Sequence, residues 1–178
     1  MNETLQSILI GTSALGAIAL VALLLTIVRS VDNTDAIARD KVARLLMIGI
    51  SVQCIHTVEE FITGFHEQFP QMLGLQAWSA EFFVTFNLFW ISVWILSAVG
   101  VRSNFRPTFF PVWFFAIGMA GNGVAHPALA IAARGYFPGL FTSPFVATLG
   151  VILGLRLWKL TSLHTYNAPS ATDSLESR

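Results

Sequence analysis

Three ionisable side chains, His56, Glu59 and Glu60, crowd into a stretch that is otherwise apolar, Gln53-Cys54-Ile55-His56-Thr57-Val58-Glu59-Glu60-Phe61-Ile62-Thr63. An ionisable group in hydrocarbon costs a few kcal/mol at least, so three in two turns need a reason. At ~100° per residue the three fall within about a 100° arc of one helix face, where they can converge inside a bundle. Further along lie Glu81, Asn122 and His126, each also inside an apolar run. Carboxylates in low dielectric take up a proton or find a cation. No Lys or Arg stands beside them in the outer half of the spans, which leaves a protonated histidine or a bound metal.

Three chemistries suit such a set. In the first, carboxyls and histidines share protons, with Glu60 and Glu81 transferring them, His56 as partner, and Asn122 and His126 orienting. Carboxylates in an apolar cavity also stabilise a developing carbocation, which suits isomerisation or cyclisation of a terpenoid- or sterol-like lipid without a cofactor. In the second, His56, Glu60, Glu81 and His126 ligate zinc or another divalent metal, and the remaining glutamate activates water for hydrolysis of a lipid or peptide. The third is not enzymatic: protonatable groups midway in a bundle also make proton-coupled transporters, although no internal repeat is evident. Glu59 is free to pair with His126 or a neighbour. Gln53, Thr85 and Thr142 are candidates for contacting the substrate.

The elements that position these residues follow from composition. Charged residues make up 11% of the 178 residues and hydrophobic ones 54%; the charge is less than half the usual soluble share, so this is an integral membrane protein. The net charge of zero gives no surface for nucleic acid. The single cysteine, Cys54, permits no intrachain disulfide. The expected fold is an all-α polytopic bundle in one domain over 1–160. Its five transmembrane helices fall at about 5–28, 42–65, 77–100, 108–131 and 143–160. The first, with no basic residue before it and longer than a signal core, reads as a retained packing span.

Punctuation sets the ends. Asn33 or Thr34 can cap the second helix, and Asp40 can pair with Arg44 one turn on. Residues 66–76, with Pro70 and Gly74, read as a loop. Pro107 suits a helix start, Pro127 a kink, and Ser143-Pro144 the start of the last span. Gly150 and Gly154 form a GxxxG spacing that suits an internal contact or a homodimer. The tail 161–178 reads as disordered and cytoplasmic, and His66 and His164 as solvated. Cys54 and the aromatic residues read as packing and interface groups.

Arg29, Arg39, Lys41, Arg44, Arg102, Arg106, Arg156, Lys159 and Arg178 all fall on one side of the five-span arrangement, and Arg134 alone on the other. The positive-inside rule then puts the N-terminus outside and the C-terminus in the cytoplasm. At 1.5 Å per residue, His56, Glu59 and Glu60 lie about 5–15 Å below the outer end of their span, Glu81 about 5 Å and Asn122 and His126 about 8–14 Å below theirs. Singly, each has a structural reading: a histidine or Asn122 as interhelical glue, Glu81 snorkelling to the headgroups. A shared depth on three spans favours one functional centre.

His56-Thr-Val-Glu59-Glu60 resembles the signature of the HXXEE family of small bacterial membrane proteins. Asn122-Gly-Val-Ala-His126 resembles its NxxxH motif, Glu81 stands where it has a further acid, and Tyr136-Phe-Pro-Gly-Leu-Phe-Thr142 resembles its loop before the last helix. The resemblance runs over roughly residues 44–157 and implies an intramembrane enzyme of the bacterial inner membrane, with lipids and a lipophilic small molecule as its partners. A looser likeness is to emopamil-binding-protein-type sterol isomerases, on His56, Glu60, Glu81 and Asn122; His126 has no counterpart there.

Overall fold

The computed structural model describes residues 3–31 and 35–163 and is built almost wholly of helices. In order they are α1 (Glu3–Gly11), α2 (Ser13–Val28), α3 (Ala36–Ile62), α4 (Phe65–Met72), α5 (Ala80–Arg102), α6 (Phe109–Ala133) and α7 (Ser143–Leu160). A 3-10 turn, Arg106–Thr108, leads into α6, and two three-residue strands, β1 (Arg29–Val31) and β2 (Thr161–Leu163), pair antiparallel. Among the described residues, four helices are long and apolar enough to cross a membrane: α3, α5, the 3-10 turn with α6, and α7. The pair α1 and α2, bent by 46° at their junction, makes a fifth if counted as one span. This is an all-α, multi-pass membrane bundle.

Its burial pattern is that of a protein in oil. Large apolar side chains face outward, such as Leu20, Leu24, Ile62, Leu96 and Ile131, while His56, His126, Glu60 and Gln53 are buried. In water that distribution would be costly; in lipid it places the polar groups where protein can satisfy them. The α6–α7 pair packs closely because Gly150 has no side chain: a Cβ there would lie 2.5 Å from the Ala120 nitrogen and 2.8 Å from the Ala116 carbonyl. Gly150 of the GxxxG spacing therefore serves an internal contact.

Three expectations change at the boundaries. The expected single first span is broken at Thr12, where Gly11 sits against the Trp78 ring. The cap of α3 is Asp35, whose side chain accepts from the Ala38 N–H at 2.9 Å; Asn33 and Thr34 lie outside the described residues, as do His164 and the tail beyond Leu163. Where a loop was expected over 66–76, α4 forms. Gly64 turns the chain at φ 83°, and its carbonyl accepts from the Glu67 and Gln68 N–H groups to start the new helix. Pro70 has no N–H for the carbonyl of His66, and that carbonyl accepts instead from the Trp78 N–H at 2.9 Å. His66, expected in solvent, is therefore buried, stacked on Phe61.

The ends of the bundle differ in chemistry. At one, Arg29 donates to Thr161 Oγ1 at 2.8 Å and lies over the Trp158 ring. Asp40 takes Arg44 at 2.7 Å and Arg102 at 2.9 Å, and Arg106 donates to the Ile27 carbonyl. The other end carries α4 and the loop 134–142, whose residues Phe137, Pro138 and Gly139 are buried. Irregular backbone survives at such a position because protein surrounds it.

Candidate active site

The site is assembled by α3, α6 and the loop between α6 and α7. From α3, His56 and Glu60 are one turn apart on the buried face, with Nε2 and Oε1 3.4 Å from each other. From α6, His126 brings its Nε2 to 3.4 Å from the same Glu60 oxygen. The imidazoles meet edge to face at a centroid separation of 4.8 Å. One ligand atom each from His56, Glu60 and His126 lie within 4.8 Å of one another. His56 is fully enclosed and His126 is 3% exposed.

The tautomers follow from what each Nδ1 faces. His126 Nδ1 lies 2.7 Å from the Pro138 carbonyl, which can only accept, so Nδ1 carries the proton. His56 Nδ1 lies 2.6 Å from Thr142 Oγ1. That hydroxyl gives its own proton to Glu59 Oε2, so it accepts from His56, and Nδ1 again carries the proton. Both histidines thus turn an Nε2 lone pair towards the Glu60 carboxyl. Asn122 Nδ2 donates to the same His56 Nε2 at 3.2 Å.

Glu59 has a different environment. Besides Thr142 Oγ1, its carboxylate accepts from the Tyr136 hydroxyl at 2.7 Å, the Phe141 N–H at 3.0 Å and the Thr142 N–H at 2.9 Å. Four donors hold it as an anion behind His56, linked through Thr142. Burial, and then the bond to this carboxylate, push the Tyr136 phenol above its ordinary range, so it remains a donor. Glu59 is thereby committed to the loop, which corrects both its expected pairing with His126 and its service as a free base.

Of this loop Thr142 was expected at the site, as a substrate contact; it bridges Glu59 and His56, and Gly139 was not expected there. Gly139 has φ 86°, and a Cβ on it would lie 2.5 Å from His126 Cε1 and 2.9 Å from His56 Cε1. Only glycine satisfies both the backbone and the space. The signal was the Phe137-Pro138-Gly139 turn, visible in sequence as a turn but not as a wall against two imidazoles.

Two expected site residues stay outside. Glu81 is exposed in the first turn of α5, and Thr85 is exposed one turn on. The helix begins at Ser79, which accepts from Phe82 N–H, and this start directs both away from the cluster. Gln53, by contrast, is buried and lines a cavity of about 290 Å³ that reaches Glu60, Asn122 and His126. Apart from Thr12 and Asn87 the rest of that cavity is apolar and aromatic, with Phe65, Phe82, Phe86 and Phe114 among its walls.

A multi-pass helical bundle with a buried two-histidine, one-glutamate cluster at the end of an apolar cavity is the class of protein that these features define. The sequence matches, over residues 47–153, the family described as "Protein of unknown function with HXXEE motif", and the chain belongs to that family. His56 and Glu60 of its motif meet in the cluster, while Glu59 supports it from behind. No curated protein and no solved structure matches the chain.

Proposed function

We propose that this protein is a metal-dependent membrane enzyme acting on a lipophilic substrate held in the aromatic-lined cavity, with metal-assisted hydrolysis as its reaction class. The observation that carries this is the convergence of three lone-pair donors, His56 Nε2, His126 Nε2 and Glu60 Oε1, with both Nδ1 protons committed elsewhere. Acceptors facing one point call for a shared proton or a cation, and with Asn122 Nδ2 beside His56 Nε2 the metal reading takes the cation. The two 3.4 Å separations fall in the range of a tetrahedral edge, about 3.3–3.6 Å for ligand bonds of about 2.0–2.2 Å, and all three atoms lie within 4.8 Å of one another. Protonated Nδ1 atoms bonded to outer oxygens are the usual support of metal-ligating histidines.

In this reading His56, His126 and Glu60 hold the ion, zinc or iron(II) by ligand type. When bound, the ion would supply Lewis acidity towards a substrate oxygen or a water. Asn122 orients what lies on the open side, Glu59 balances charge through Thr142, and the apolar walls exclude bulk water. Glu81 and Thr85 have no part. The basic end faces the cytoplasm, so the cluster lies in the outer half of a bacterial inner membrane.

Elemental analysis of protein purified without chelator tests this. About one ion per chain is expected, with loss of that ion in Glu60→Gln. Metal-free protein with undiminished turnover would sink the reading. The aromatic wall then favours a second one: Glu60 acts as proton donor and the rings stabilise a carbocation during isomerisation.

A further inference from the structure

A separate cavity of about 170 Å³ lies at the arginine-rich end of the bundle, away from the histidine–glutamate cluster. Thr26, Arg29, Val31, Asn104, Arg106 and Phe109 line it. Two guanidiniums therefore border one small space, and among the described residues no carboxylate does. Arg29 is 8% exposed, with its flat face on the Trp158 ring. Its Nε donates to Thr161 Oγ1 at 2.8 Å, and its Nη2 donates to the carbonyls of Trp158 and Thr161. Nη1 makes no bond among the described residues, yet it is not sealed in as the unpartnered Trp94 and Trp113 nitrogens are. It keeps contact with a water-sized probe, and the cavity that Arg29 lines supplies that contact.

Arg106 comes to the same place from the start of α6. It is exposed, and its Nη2 donates to the Ile27 carbonyl at 2.9 Å. Ile27 stands two residues before Arg29, so this bond holds the head of Arg106 against the stretch of chain that carries the other guanidinium. Its Nε and Nη1 are left over. Every acceptor that either arginine meets is neutral. At the same end Asp40 pairs with Arg44 and Arg102, whereas no Asp or Glu among the described residues pairs with Arg29 or Arg106. A guanidinium withdrawn from water with no counter-charge calls for an anion.

We propose that this cavity binds a phosphate oxyanion between Arg29 and Arg106, either the headgroup phosphate of an anionic lipid or a free phosphate. Planar guanidiniums match phosphate oxygens with paired, charge-assisted bonds. The rim faces oil on the side of α2, where Leu24, Ile27 and Val28 are exposed, and Phe105 is exposed beside Arg106. Basic side chains at the ends of spans reach the headgroup level, where phosphate is the prevailing anion. The site is independent of the metal reading, since none of its residues belongs to the cluster.

The test uses the full chain in micelles of a neutral detergent, with binding read by native mass spectrometry. The probes are phosphatidylglycerol, a diacylglycerol with the same chains, and inorganic phosphate. Wild-type protein is expected to bind phosphatidylglycerol, inorganic phosphate or both, and the phospholipid at least ~10-fold more tightly than the diacylglycerol if the lipid is the ligand, the effect of charge-assisted bonds. Arg106→Gln, a change at an exposed side chain, should weaken that binding by about 10-fold. Arg29→Gln should do the same, and Arg106→Gln decides alone if that variant fails to fold. Arg156→Gln removes the same charge from an exposed position at this end that does not line the cavity, and should leave binding unchanged. Lipid binding that excess phosphate leaves in place assigns the headgroup; phosphate that binds by itself and displaces the lipid assigns the free anion. No binding of either phosphate probe, or equal losses in Arg106→Gln and Arg156→Gln, overturns the proposal.

Discussion

At the scale of single residues, the two adjacent glutamates of the motif have opposite duties. Among the described residues, Glu60 is met only by histidine nitrogens, whereas Glu59 is met by four donors of the loop. Thr142 is the joint between the two environments, since it passes the charge of Glu59 to His56. Thr142→Val removes that joint while keeping shape, and is expected to weaken metal binding by about 10–100-fold, as removal of an outer-shell partner does. Thr142→Ser keeps the hydroxyl and should retain most of the affinity. Titration with the metal that copurifies checks both; equal affinities for the valine variant and the wild type would remove Thr142 from the account.

At the scale of elements, two glycines at positive φ turn the chain near the site, and they separate strain from overlap. Gly64 (φ 83°) has nothing nearer a Cβ than Gln68 Nε2 at 3.6 Å, whereas a Cβ on Gly139 would press on both imidazoles. Each alanine substitution places a side chain in an unfavourable backbone region, at a cost of order ~1–3 kcal/mol. Gly64→Ala is therefore expected to lower the thermal midpoint and leave the ion bound. Gly139→Ala should lower the midpoint further and release the ion as well. Thermal unfolding beside metal analysis distinguishes them, and an intact ion in Gly139→Ala would show that the loop is not a wall of the site. The short helix α4 belongs to the same end, where Phe65 lies 5.9 Å from the His126 ring and 5.8 Å from Phe137.

At the scale of the whole molecule, the cluster and the arginine-rich contacts occupy opposite ends, and the orientation proposed above makes a direct prediction. A cysteine placed at exposed Arg134, in a chain with Cys54 replaced, should react with a membrane-impermeant maleimide in intact cells. One placed at exposed Ser103 should react only after permeabilisation. The reverse pattern would invert the topology. Much of this architecture was legible in the sequence: long apolar runs cannot be soluble, and charges confined to their ends fix where they stop. The cluster was legible because ionisable residues in oil are conspicuous against their neighbours, so His56, Glu60, Asn122 and His126 stood out. Sequence spacing fixes depth, but the azimuth of one helix relative to another is set by packing. Depth alone therefore suggested Glu81, which lies exposed in the first turn of α5, and did not place Glu59 against the loop. The tautomers of the two histidines, the closure of the site by Gly139 and the cavity shared by Arg29 and Arg106 were decided only by the tertiary structure. Each depends on atoms brought together from segments far apart in the chain, and no local periodicity carries that information.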